Sequence, residues 1–171
     1  NKRFEGLTIK ELLKEYHVGK GKIEEIRVNK LVQLNSNQVS LETKIKENDI
    51  LSFNMEEKLN FKPSNKSIKV VYEDEQILLV NKPSGILIHP DGNDGDEDTL
   101  VNRVARYYLD NHLSLEVRYA HRIDEETSGL VIFCKDFLTH SMLNYQIEEH
   151  IVIREYRALV HGSVSKNNGV L

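Results

Sequence analysis

Hydrophobic residues in this chain recur with two different periods, and the period changes along its length. Spacing of three and four residues, typical of helices, marks two segments, 7–16 and 99–112, and a third helix is expected at 137–148. Alternation typical of strands marks five: 68–72, 77–81, 116–120, 130–134 and 154–162. Asp98 or Thr99 is placed to cap the middle helix. Helices inserted among several strands predict an α+β fold for this part of the chain.

The first fifty residues follow a different order. After the helix at 7–16, a second short helix carries Ile23 and Ile26 on one face, and alternating segments with polar turns at 29–30 and 35–37 predict small hairpins. A closing strand is expected in ENDILSF, residues 47–53. These elements predict a compact unit at 1–55, a linker containing Pro63 at 56–67, and a larger domain at 68–171.

Charge and composition narrow the class of protein. The formal net charge is -4, yet residues 1–62 hold 12 basic and 10 acidic side chains, against 11 and 17 in the remainder. A mildly basic head before an acidic body is compatible with nucleic-acid binding through the head. The single Cys134 excludes a disulfide framework and is expected in a buried strand. Without an apolar membrane or secretion segment, we expect a cytoplasmic protein with no membrane partner.

Sites for metals and nucleotides are not predicted. The acidic loop DGNDGDED, residues 91–98, fails the register of a calcium loop and is expected to be a flexible surface loop. The histidines show no zinc-ligand spacing, and no glycine-rich phosphate loop follows a strand. We therefore expect neither a metal nor a cofactor.

The run HRIDEETSGL, residues 121–130, lies between two predicted strands and is the strongest candidate for chemistry. Arg122 and Asp124 share a side, and a nearby arginine keeps an aspartate ionised, which suits a nucleophile or a base. The alternative is an Arg–Asp pair that orders a turn, with Thr127 and Ser128 bonding the local backbone. Physical chemistry alone leaves both interpretations open.

The head is similar to the S-four-type RNA-binding domain. The resemblance rests on GKIEEIRVNKLVQLNSNQV and ENDILSF, although Lys30 and Asn48 stand where that family usually has glycine. It implies RNA contacts, for which the candidates are Lys20, Lys22, Arg27 and Lys30. The alternative is that these side chains form an ordinary solvated face.

The body resembles the RluA-type pseudouridine synthases from about residue 67 to the end. HRIDEETSGL is similar to that family's H-R-L-D-x-x-T-S-G-L signature. VVYEDEQILLVNKPSGILIHP resembles its first motif, and REYRALVHG its K-x-Y-x-A-x-V-x-G strand, with Arg154 in place of the usual lysine. The resemblance implies an isomerase that converts uridines of rRNA or tRNA to pseudouridine by base flipping.

The resemblance also implies roles for single residues. Asp124 would be the catalytic aspartate, Arg122 would enter the RNA stack in place of the extruded base, and Tyr156 would stack on the flipped uracil. His121, Arg154 and Lys82 complete the expected RNA-site residues, with support of the active-site sheet as the favoured role of Lys82. Glu125 and Glu126 are expected to be exposed turn residues that face away from the RNA.

The same resemblance predicts that the catalytic domain is incomplete. Later strands and a basic partner of the aspartate would lie beyond Leu171, so this chain is expected to be a C-terminally truncated monomer of doubtful activity. The alternative function is a non-catalytic RNA-binding module. Glycoside hydrolysis is disfavoured because Asp124, Glu125 and Glu126 are adjacent and cannot flank a sugar from opposite faces.

Overall fold

The computed structural model describes residues 4–92, 98–163, 165 and 168. Its elements in chain order are α1 (Ile9–Glu15), α2 (Lys20–Val28), β1 (Val32–Leu34), β2 (Asn37–Gln38), β3 (Leu51–Phe53), β4 (Val70–Glu73), β5 (Ile77–Lys82), α3 (Leu100–Asp110), β6 (Arg118–Tyr119), β7 (Gly129–Cys134) and α4 (Phe137–Glu148). The strands form two antiparallel sheets, ordered β2-β1-β3 and β4-β5-β7-β6. The α+β prediction is confirmed.

The head, residues 4–55, is a helical pair on a three-stranded sheet. Thr8 begins α1 through a capping box with Glu11, in which each residue bonds the other's backbone N–H. The turn between β1 and β2 places Asn35 and Ser36 at positive φ, as tight hairpins require. The alternating run that the sequence suggests from Arg27 to Asn35 begins too early, because Arg27 and Val28 lie in α2.

The body, residues 68–163, buries α3 against the four-stranded sheet. Every second side chain of β5 is buried, so Leu78, Val80 and Lys82 point to one face, where Val131 and Phe133 of β7 join them. Thr99, one of the two predicted caps, begins α3. Cys134 is buried in β7, as expected.

The segment between head and body, residues 56–67, contains no helix or strand but is attached to the body. Leu59 and Phe61 pack against the core of the body. Glu57 pairs with Arg118 of β6 at 2.7 Å, and the Ser64 hydroxyl donates to Asp98 at 2.8 Å. These contacts hold the predicted linker along the rim of the body.

Helix α4 contacts the head. The Phe137 ring meets Phe53 edge-on with 5.2 Å between centroids, and Phe137 is counted in the core of the head. Farther along, Tyr145 stacks on His17 with 3.4 Å between ring centroids. The head is therefore seated on one face of α4, which leaves the neighbouring face of that helix to border the cavity described below.

The predicted strand at 154–162 is wrong. Residues 153–162 form neither a helix nor a strand, and their side chains are exposed, with Leu159 fully accessible at 104%. A strand needs a neighbour for its backbone N–H and C=O groups. No strand pairs with this segment in the part of the chain that the structure describes. Its backbone groups therefore lack the hydrogen-bond partners that a strand needs, although its sequence alternates.

Candidate functional site

A cavity of about 1060 Å³ opens between the β6–β7 loop, the segment before α3 and the inner face of α4. It brings together four of the predicted site residues, namely His121, Arg122, Asp124 and Arg154. Walls of the cavity also come from Phe61 of the connecting segment and Ile147 of α4. A surface that combines apolar walls with convergent polar groups is suited to binding a small polar ligand.

Asp124 lies at the outer corner of the β6–β7 loop. The Thr127 N–H donates to the Asp124 carbonyl at 3.1 Å and closes the turn. The Asp124 side chain is exposed, and its carboxylate has no hydrogen bond or ion pair with any residue that the structure describes. Both carboxylate oxygens are therefore available to a ligand in the cavity.

The loop that carries Asp124 is clamped from below by Lys82. The Lys82 ammonium is completely buried and donates to three backbone carbonyls: those of Ile86 and Glu125, both at 2.7 Å, and that of Pro83 at 3.1 Å. Burial lowers the Lys82 pKa, although the carboxylates of the 124–126 turn oppose that shift. A buried cation shared by three carbonyls fixes the separation of the two loops.

A second set of bonds joins the same two loops. The Gly85 N–H donates to the Glu125 carbonyl at 2.9 Å, and the Ser84 hydroxyl donates to the Glu126 carbonyl at 2.7 Å. Gly85 has φ +78°, a conformation that favours glycine. The turn at residues 83–86 is thus shaped to lie against the backbone of the Asp124 loop.

Arg122 is exposed and bonds His89 rather than Asp124. Its Nη1 lies 2.9 Å from His89 Nε2, and no Arg122–Asp124 ion pair is found among the described side chains. The alternative interpretation of this run, an Arg122–Asp124 pair that orders the turn, is therefore wrong in this structure, because Arg122 bonds His89 on the cavity wall instead. His89 comes from the segment before α3, far from Arg122 in sequence.

His121 is held as a neutral ring at the inner edge of the cavity. The Ile132 N–H of β7 donates to Nε2 in a long bond of 3.4 Å, which places the ring proton on Nδ1. Nδ1 is buried and has no partner within the described part of the chain. Burial and then the charge of Arg154 lower the His121 pKa.

Two predicted site residues do not line the cavity. Tyr156 lies on the irregular segment after α4 and is 61% exposed, and Lys82 is buried beneath the loops. Both turn glutamates are exposed, as predicted, but Glu125 lines the cavity rather than facing away from it, whereas Glu126 does not. Whether these residues contact RNA stays a prediction.

The predicted contact residues of the head lie on and after α2. Lys22 pairs with Glu25 at 3.0 Å, and Arg27 pairs with Glu24. Lys20 and Lys30 are exposed, with Lys30 at φ +51°. Because two of these four bases already have acidic partners on the same helix, the net positive charge of this surface is modest.

Several residues of the cavity were not predicted from sequence. The most informative is His89, which sequence reasoning considered only as a metal ligand; Tyr119, which stacks on His89, and His140 of α4 also line the wall. His89 lies in the segment that resembles the first family motif, but nothing local to that segment indicates a contact with Arg122. Among the described residues, no cluster of potential metal ligands is found and no helix has the length and apolar character to cross a membrane. Residues 93–97 of the acidic loop lie outside the described part.

Family models match both parts of the chain. Residues 76–170, more than half of its length, match the model of the RNA pseudouridylate synthases. The chain belongs to this family. Residues 1–51 match a second model, described as the RluD ribosomal pseudouridine synthase N-terminal domain. The family match spans the β6–β7 loop and most of the residues that line the cavity, and the RluA-type assignment made from the motifs is confirmed.

Individual relatives agree with this assignment. An uncharacterized RNA pseudouridine synthase of Bacillus subtilis, YhcT, is 36% identical over 109 residues, which cover 64% of this chain and 36% of that protein. Ribosomal large subunit pseudouridine synthase D of Buchnera aphidicola is 34% identical over 60% of this chain and 32% of its own length. The chain thus spans about a third of the length of the curated relatives it matches.

Solved structures of the family overlap in part with this chain. Human RNA pseudouridylate synthase domain containing 1 is 20% identical with a TM-score of 0.40, over 52% of this chain and 31% of that one. Human RNA pseudouridylate synthase domain containing 4 is 18% identical with a TM-score of 0.41, over 48% and 30%.

Proposed function

We propose that the protein containing this chain isomerises specific uridines of structured RNA to pseudouridine, with Asp124 as the catalytic carboxylate. The observation that carries the proposal is the family match over residues 76–170, since it includes the loop on which Asp124 faces the cavity. Relatives whose names specify the large ribosomal subunit support ribosomal RNA as the substrate class. Transfer RNA is the alternative substrate.

The reaction needs little from the protein beyond positioning and a carboxylate. The bond between ribose C1′ and uracil N1 breaks, a bond between C1′ and C5 forms, a proton leaves C5 and one is gained at N1. No electrons are exchanged with a second molecule, so the balance requires no redox cofactor. An exposed carboxylate with no competing partner, on a loop clamped by Lys82, is suited to attack or to accept a proton.

The target uridine must leave the RNA stack to reach Asp124. Extruding a base costs a few kcal/mol, which a side chain can offset by filling the gap. Arg122 supports this role because it is exposed beside Asp124 and carries a planar, cationic head that stacks on bases. The volume of the cavity, about 1060 Å³, leaves room for a flipped nucleotide.

Purified full-length protein, incubated with in vitro transcribed ribosomal and transfer RNA, tests the proposal. We expect Asp124→Asn to abolish pseudouridine formation while RNA affinity changes by less than about threefold, because the amide keeps the shape but loses the charge. Glu126→Gln, in the same turn but outside the cavity, is the matched control and retains activity. Undiminished isomerisation by Asp124→Asn would contradict the proposal and favour a non-catalytic RNA-binding module.

A further inference from the structure

We propose that His89, as a neutral ring protonated on Nδ1, is a positioning residue that holds Arg122 away from Asp124. The inference rests on the proposed function, because Arg122 matters only if the site receives an extruded base. It concerns a contact between two segments that are 33 positions apart in the chain.

The partners of the His89 ring assign its proton. Nδ1 lies 2.7 Å from the Pro90 carbonyl, which can only accept a hydrogen bond, so Nδ1 carries hydrogen. Nε2 lies 2.9 Å from Arg122 Nη1, which can only donate, so Nε2 presents its lone pair. These two contacts are satisfied together only by the neutral Nδ1–H tautomer. A doubly protonated ring would place two donors opposite one another.

The position of the His89 ring is fixed from two sides. Its backbone follows Ile88, whose carbonyl accepts from the Val101 N–H at 2.9 Å, so the segment is tied to the first turn of α3. The ring itself stacks on Tyr119 of β6, with 5.7 Å between centroids and 24° between planes. His89 is thus a preoriented acceptor, and Arg122 loses part of its side-chain freedom by bonding to it.

A neutral acceptor has a different consequence from a carboxylate. If Arg122 paired with Asp124, each charged group would be bonded to the other. Breaking that pair would cost free energy before RNA could enter and before the carboxylate could attack. Bonded to His89, Arg122 keeps its full charge toward phosphates and bases, and the Asp124 oxygens stay free. The bond is also weaker than a charged pair, so incoming RNA can exchange it for its own contacts.

Two substitutions separate the acceptor at Nε2 from the rest of the ring. The side-chain amide introduced by His89→Gln can place its oxygen near the position of Nε2, whereas His89→Asn reaches only as far as Nδ1 and leaves Arg122 without an acceptor. In the full-length protein we expect His89→Asn to lower the single-turnover isomerisation rate about tenfold, with RNA affinity and melting temperature little changed. His89→Gln should recover most of that rate. Equal rates for His89→Asn and wild type, or equal losses for both variants, would overturn the inference.

The ring proton can be observed without any catalytic assay. Long-range ¹H–¹⁵N spectra of the wild-type protein should show His89 as the Nδ1–H tautomer at neutral pH, and Arg122→Gln should alter the Nε2 resonance. A proton on Nε2 in the wild type would overturn the inference. If no RNA is isomerised by the wild type, the proposed function fails, and this spectrum still decides whether His89 and Arg122 are bonded as described.

Discussion

The head and the body use charged side chains in opposite ways. In the head, Arg27 pairs with Glu24 at the surface, where the two side chains are 61% and 59% exposed, and the residues buried beneath are apolar. In the body, the Lys82 side chain has no exposed area and Arg118 only 8%. Among the described residues, every buried polar or charged side chain belongs to the body or to the segment attached to it.

Exposed charges in the head and buried charges in the body have different consequences for stability. Exposed ion pairs contribute little, about 0–1 kcal/mol each, so the bases of the head can exchange glutamate partners for phosphates at small cost. A buried ammonium or guanidinium must keep all its partners, because unpaired it is strongly destabilising. Lys82 lies under the loop that presents Asp124 and holds it, whereas Arg118 lines the cavity and holds the connecting segment through Glu57. The head provides a surface, and the body provides a fixed geometry.

The strongest test of this contrast is Lys82→Met. Removing the ammonium leaves three carbonyls at 2.7–3.1 Å without their donor, and we expect the free energy of unfolding to fall by about 3 kcal/mol. Urea denaturation measures the loss. The matched control is Lys58→Met, which removes an exposed pair with Glu56 and should cost less than about 0.5 kcal/mol. Similar losses for both variants would show that the buried lysine is not a clamp.

An intermediate effect is expected at Asp98. Arg103, foremost, and then Lys66 and Ser64 hold the Asp98 pKa well below its usual range. Because the Asp98 pKa is lower in the folded state than in the unfolded state, ionised Asp98 stabilises the fold. This stabilisation is fully present above the unfolded-state pKa of about 4 and is lost as pH falls through the folded-state pKa.

Denaturation midpoints measured between pH 7 and pH 2 check this dependence. Because the Asp98 side chain is 34% exposed, solvent screens its ion pairs, and Asp98→Asn should lower the free energy of unfolding at pH 7 by about 1 kcal/mol and flatten the acid limb of the profile. Asp49→Asn, at an accessible turn of the head, is the comparison and should change the profile less. An unchanged acid limb in Asp98→Asn would show that the Asp98 network does not govern acid stability.

The smallest expected effect is in the head, at Lys30. This residue has φ +51°, in the left-handed region where glycine carries no steric penalty. Lys30→Gly should stabilise the head by about 0.5 kcal/mol, after the greater freedom of glycine in the unfolded chain is counted. Lys14→Gly, inside α1, should destabilise by up to about 1 kcal/mol. Thermal unfolding distinguishes the two signs, and a loss at both positions would contradict this account of Lys30.

Local features were predictable from sequence, and long-range contacts were not. The extent of β5 follows from its hydrophobic alternation and from Pro83, which cannot continue a ladder. The start of α4 follows from Asp136, whose side chain caps the helix. The strand at 154–162 failed because alternation cannot specify a neighbouring strand. The alternation of β5 predicts that the Lys82 side chain points to the buried face of the strand. Its three carbonyl partners could not be predicted, because they belong to two loops that come together only in the folded chain. The Arg122–His89 bond was missed for the same reason.

Mapping pseudouridines in total RNA tests the central claim most directly, because it measures the reaction on natural substrates. Cells that carry the Asp124→Asn allele at the native locus should lose the same pseudouridines as a deletion strain, in ribosomal RNA, while the Glu126→Gln allele retains them. Retention of every pseudouridine in the Asp124→Asn strain would contradict the assignment of catalysis to this loop.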